Sequence, residues 1–96
     1  MTKNELIDTL KSLKPELDLK FGIQQIAIFG SFARDEAADG SDIDIAILKM
    51  NTNDFFLMQS AKNFLREALN HDVDIGMFKA MKTYIKNKIE KEFIYV

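Results

Sequence analysis

Asp42-Ile43-Asp44-Ile45-Ala46-Ile47-Leu48 is the stretch that decides how this chain folds. Its first residues alternate carboxylate with isoleucine, and successive side chains of a β-strand point to opposite faces. The segment reads as a strand with Ile43, Ile45 and Ile47 on a packed face. Asp42 and Asp44 then project together from the other. Upstream, Gln25-Ile26-Ala27-Ile28-Phe29 reads as a strand stopped by Gly30-Ser31. Downstream, Asp72-Val73-Asp74-Ile75-Gly76-Met77-Phe78 repeats the alternation as a third strand.

Helical patterns lie between and around these strands. Thr2-Lys3-Asn4-Glu5 is a capping-box pattern, followed by Leu6, Leu10, Leu13 and Leu17 on one stripe. Pro15 is expected to kink that helix or start a second one, because it lacks an N–H and crowds the preceding turn. Gly22 should end it. Residues 32–40 read as a short helical turn and a polar loop closing on Asp39-Gly40-Ser41. Asp54 to Asn70 reads as a helix with Leu57, Ala61, Phe64, Leu65 and Ala68 on its inner side. A last helix over about 80–91 should turn Met81, Tyr84, Ile85 and Ile89 inward, and Phe93-Ile94-Tyr95-Val96 closes the chain. The expectation is a single α/β (α+β) domain over 1–96, with helices packed on one side of a small mixed sheet.

Composition narrows the function classes. Hydrophobic residues make up 47% of the chain and charged residues 29%, an ordinary globular balance. There is no cysteine, which removes disulfides, thiolate metal sites and cysteine nucleophiles, and fits a reducing cytoplasm. No apolar run reads as a signal peptide or a membrane span. The net charge of −2 argues against a broad grip on nucleic acid. The one basic cluster, Lys79, Lys82, Lys86, Lys88 and Lys91, is offset by Glu90 and Glu92 and reads as a solvated helix face.

The carboxylates carry the chemistry. Two like charges on one strand face repel unless a cation lies between them, and Mg²⁺ is commonly held by one or two carboxylates plus substrate phosphates. A third carboxylate from a neighbouring strand would suit two-metal phosphoryl transfer. Asp74 sits deeper in its strand than Asp72, which lies at the strand's start, so Asp74 is the preferred third member with Asp72 as its rival. Gly30-Ser31 supplies a close backbone approach and a possible helix cap, together an anion site for phosphate. Arg34 could add a charged donor to the same phosphates. Gly30-Ser31 followed ten residues later by Asp42-x-Asp44 has a chance of roughly one in 10⁵ per starting point from ordinary residue usage. The combination is therefore far more telling than either half.

Gly-Ser-Phe-Ala-Arg at 30–34, Ser-Asp-Ile-Asp-Ile at 41–45 and Val-Asp-Ile at 73–75 resemble the polymerase-β-type nucleotidyltransferase superfamily, and within it the minimal nucleotidyltransferase (MNT) branch. The resemblance runs over nearly the whole chain. It implies that Gly30 and Ser31 hold the triphosphate; Arg34 and Ser41 are the further nucleotide-binding candidates. It implies that Asp42 and Asp44 ligate two Mg²⁺ ions and that Asp74 completes the triad and helps activate the acceptor. Many relatives have glycine where this chain has Asp35, and a basic or neutral residue where it has Asp72. Minimal members resemble antitoxins paired with HEPN-type ribonuclease toxins, so ATP as donor and a tyrosine of such a toxin as AMP acceptor are what the resemblance implies, with assembly between the two proteins.

Two other readings stand beside this one. The chain could neutralise a partner by contact alone, or transfer a nucleotide to a small hydroxyl compound such as an aminoglycoside, although relatives with that activity carry a helical domain for which this chain has no room. His71 reads as ordinary surface. Phe55, Phe56 and the methionines read mostly as core, with Phe55 or Phe93 the candidates to face a partner. Tyr84 and Tyr95 read as packing residues rather than as acceptors of nucleotide.

Overall fold

Thr2 opens the chain's regular structure as the alternating pattern of caps and leucines foretells. In the computed structural model, which describes residues 1–96, α1 spans Lys3–Phe21. The Thr2 hydroxyl accepts from the Glu5 N–H and the Glu5 carboxylate accepts from the Thr2 N–H, each at 3.1 Å. Leu6, Leu10 and Leu17 are buried, and Gly22 ends the helix in the left-handed conformation at φ 69°. Pro15 neither ends nor splits α1. It sits on the exposed side, as does Lys11 one turn before it, while buried leucines hold the helix on both sides.

The remaining elements are β1 (Ile23–Phe29), α2 (Gly30–Ala33), β2 (Ile43–Met50), α3 (Phe55–Leu69), β3 (Val73–Met77), a 3₁₀ turn (Phe78–Ala80), α4 (Thr83–Glu90) and β4 (Ile94–Tyr95). The four strands form one mixed sheet in the order β3-β2-β1-β4. β2 runs parallel to β3, while β1 is antiparallel to both β2 and β4. The α/β expectation therefore holds, and the closing Phe-Ile-Tyr supplies an edge strand.

Alternation assigns the two sheet faces. Ile26, Ile28, Ile43, Ile45, Ile47, Val73 and Ile75 point towards α1 and α3 and belong to a 17-residue buried core. The opposite face carries two parallel rows set by register. Phe29, Asp44 and Asp74 form one row across three strands, and Ala27, Ala46 and Gly76 form the next. At Gly76 the small residue has a reason: Met81 packs so near that a Cβ there would lie 3.3 Å from its methyl carbon. Ile89 of α4 is also buried, outside the main core.

Some inward assignments fail. Ala68 is exposed and Leu69 is buried in its place. Phe55, Phe56 and Tyr84 are 61%, 80% and 70% exposed, so they are not core. Phe55 and Phe56 lie in the first turn of α3, before its inner face meets the sheet. Tyr84 falls off the α4 stripe defined by Ile85 and Ile89. Tyr95, read as packing, is exposed on the edge strand although its ring meets Phe93.

Candidate active site

The site forms where β1 ends and β2 and β3 begin. Register places Asp44 opposite Phe29 on one side and Asp74 on the other, so Asp44 is the centre of the row. Asp42 precedes β2 by one residue and shares the face of Asp44 by the two-residue repeat. The Ile43 N–H donates to the Asp72 carbonyl at 3.0 Å, which ties the starts of the two parallel strands together. Asp72 thus contributes backbone to the junction, whereas Asp74 is the residue that pairs with Asp44.

Electrostatics follow from this crowding. Asp44 is half-buried, and its carboxyl is pushed up to about 6, first by burial and then by the charges of Asp74 and Asp42. Arg34 works the other way, and Glu92 adds a further upward push. An excess of negative charge in a partly desolvated place favours a cation. No group of three or more histidine, aspartate or glutamate side chains is arranged to hold a metal ion by itself. Mg²⁺ rarely asks for that, since it keeps several waters and takes one or two carboxylates with substrate phosphates. Asp44 and Asp74, with Asp42 beside them, provide such a partial set of hard oxygen donors.

Gly30 makes the site possible sterically. Its φ is 75°, a left-handed value that side chains disfavour, and a Cβ would lie 2.1 Å from Asp44 Oδ2. The backbone turn and the central carboxylate are therefore in direct contact. Ser31 is not the helix cap expected from sequence. Phe29 occupies the cap position of α2 without any side-chain cap hydrogen bond, and Ser31 lies inside the turn, because the chain bends at Gly30 itself.

The other expected nucleotide contacts are engaged within the chain. Ser41 closes its loop: its hydroxyl accepts from the Ala38 N–H at 2.9 Å, and its own N–H donates to the Ala38 carbonyl at 3.0 Å. Arg34 donates through Nε to Glu36 at 3.4 Å and through Nη1 to Glu92. Glu92 and Phe93 were not singled out as site residues, and no local signal would have done so. They reach the site only because β4 adds to the edge of β1. His71 is not free surface, since its ring meets Phe32 of α2 edge-on at 5.7 Å.

An apolar cavity of about 350 Å³ lies elsewhere, lined by Met50, Phe55, Met58 and Met77 at the far ends of β2 and β3. It contains none of the aspartates of the Asp44 cluster and cannot serve their chemistry.

Residues 11–96 match the family described as Polymerase beta, Nucleotidyltransferase. The chain belongs to this nucleotidyltransferase family. A candidate protein adenylyltransferase of Methanocaldococcus jannaschii is 38% identical over 96 residues, which is 99% of this chain and 98% of the relative. The protein adenylyltransferase MntA of Thermococcus cleftensis is 30% identical, over 100% of this chain and 97% of its own length. Among solved structures, a minimal nucleotidyltransferase superposes with a TM-score of 0.80 at 23% identity, covering 98% and 95% of the two chains, and so shares the fold. A chain of a toxin-antitoxin complex with AMP-PNP superposes with a TM-score of 0.71 at 26% identity, covering 99% of this chain and 72% of that one. This nucleotidyltransferase therefore has relatives named for adenylyl transfer to protein, and its fold occurs in toxin-antitoxin assemblies.

Proposed function

We propose that this nucleotidyltransferase is an antitoxin that moves AMP from ATP to a tyrosine hydroxyl of a HEPN-type toxin, with Asp42, Asp44 and Asp74 as its working carboxylates. The observation that carries this reading is the in-register pair Asp44–Asp74 with Gly30 in contact with Asp44. It sets carboxylates beside a turn able to approach a triphosphate. Among the similar structures is an MNT antitoxin in complex with a tri-AMPylated HEPN toxin of Shewanella oneidensis, at 26% identity and a TM-score of 0.62, covering 97% of this chain and 66% of that one.

In the reaction the acceptor oxygen attacks the α-phosphorus, a new P–O bond forms, and the bond to pyrophosphate breaks. The acceptor's proton passes to Asp74, the more exposed member of the pair. Asp42 and Asp44 would hold Mg²⁺, whose bound charge would steady the triphosphate and the departing pyrophosphate. Gly30 and Ser31 would lie against the phosphates, and Arg34 would offer a charge-assisted donor to them. Ser41 keeps the loop before Asp42 in shape.

The test is incubation with Mg²⁺ and the toxin, using ATP labelled at the α or the γ phosphate. Label should reach the toxin from the α position only, and Asp42→Ala or Asp44→Ala should abolish it. Neutralisation of the toxin by the double variant without label would instead support contact alone.

A further inference from the structure

Arg34 and Glu92 stand 58 residues apart in sequence yet form a side-chain ion pair at the rim of the aspartate site. Resting on the reading that this site binds a nucleoside triphosphate, we propose that Glu92 is a positioning residue for the phosphates, acting through Arg34.

Glu92 is well placed to hold something still. Its side chain is only 20% exposed, against 44% for Arg34, so it is the more fixed partner. Its N–H donates to the Ile89 carbonyl at 2.9 Å, which ties it to the end of α4. The next residue, Phe93, packs its ring at 6.1 Å from Phe29 and 5.2 Å from Phe78. Ile94 and Tyr95 then pair with Ile28 and Ala27 of β1. The segment carrying Glu92 is thus anchored to the strand that ends at Gly30.

The guanidinium is gripped on two edges. Nε donates to Glu36 and Nη1 to Glu92, while Nη2 has no hydrogen-bond partner in the chain. Arginine carries five N–H donors in a rigid plane, so two carboxylates can orient it and still leave donors for phosphate oxygens. Arg34 also lies within electrostatic reach of Asp44. An arginine on an exposed turn would otherwise sample many rotamers and would have to be ordered when ligand arrives. Holding it beforehand lowers that cost of binding. The opposite role, Glu92 competing with phosphate for Arg34, predicts tighter binding when Glu92 is replaced.

The test measures Mg²⁺-dependent binding of AMP-PNP by calorimetry, with melting temperatures, for the wild type, Glu92→Gln, Arg34→Ala and the double variant. Glu92→Gln should weaken binding about 3- to 10-fold through lost preorganisation. In the Arg34→Ala background it should have no further effect, a dependence that a merely structural role would not show. In turnover the change should fall on KM rather than kcat. If Glu92→Gln melts well below the wild type, Glu92→Asp is measured instead and should again weaken binding only when Arg34 is present. Tighter binding, unchanged binding, or an equal loss without Arg34 would overturn the proposal while leaving the nucleotide site intact. A wild-type chain that binds no AMP-PNP would overturn both.

Discussion

Asp44 works against itself in the folded chain. Burial and the charges of Asp74 and Asp42 raise its carboxyl from the usual 3.8 to about 6. Between these values the native state keeps a proton that the unfolded chain releases. Stability is therefore greatest below about pH 4 as far as this group is concerned, falls as pH rises, and the contribution is lost above about 6. Asp44→Asn should remove that slope and raise stability at pH 7 by about 1 kcal/mol, the partly solvated side chain giving less than the full shift implies. Urea melts across pH 4 to 8 would check this, and an unchanged slope in the variant would refute it. Gly30 is the other decisive residue. Gly30→Ala must accommodate both a left-handed backbone and a 2.1 Å contact with Asp44 Oδ2, so it should lose transfer activity and about 1–2 kcal/mol of stability. Removing the carboxylate with Asp44→Ala should relieve part of that loss; equal destabilisation in both backgrounds would mean the contact does not matter.

At the scale of elements, α1 shows how local rules yield to packing. A proline within a helix costs roughly 3 kcal/mol relative to alanine, yet α1 runs unbroken from Lys3 to Phe21 because Leu6, Leu10 and Leu17 are buried along it. Pro15→Ala should therefore raise stability by about 1–3 kcal/mol, read as a higher urea midpoint. A lower midpoint would show that the proline suits its place. Leu10→Ala should cost about 2–5 kcal/mol through the cavity it leaves in the core. The strands were legible because their signal is local: Ile43, Ile45 and Ile47 against Asp42 and Asp44 needs no knowledge of distant residues. Tyr84 and Phe55 are exposed against expectation because their fate depends on how long each helix face stays against the sheet, which one-dimensional spacing does not contain.

Across the whole molecule, the site is a product of strand order. The order β3-β2-β1-β4 brings Asp74 beside Asp44, sets Gly30 against that pair, and carries Glu92 to Arg34. The Asp42, Asp44 and Gly30 set could be read from spacing. The preference for Asp74 over Asp72 rests in the sequence on its depth in the strand, to which register adds its place beside Asp44, and Glu92 stayed hidden because nothing local marks a contact across 58 residues. Since no carboxylate cluster cages an ion unaided, Mg²⁺ alone should raise the melting temperature little, whereas Mg²⁺ with ATP at 100 times its Kd should stabilise by about 2.7 kcal/mol. Equal shifts with and without ATP would point to a preformed metal site instead. Asp42, Asp44 and Asp74 are proposed to act as one unit in nucleotidyl transfer. The most direct measurement is the rate of AMP transfer for each single Asp→Asn variant, their combinations and Asp72→Asn. Each of the three should lose activity by about 10³-fold or more, with combinations adding little, as expected of groups that work together, and Asp72→Asn should stay near the wild type. Near-normal transfer by Asp74→Asn, with loss in Asp72→Asn, would overturn the assignment of Asp74.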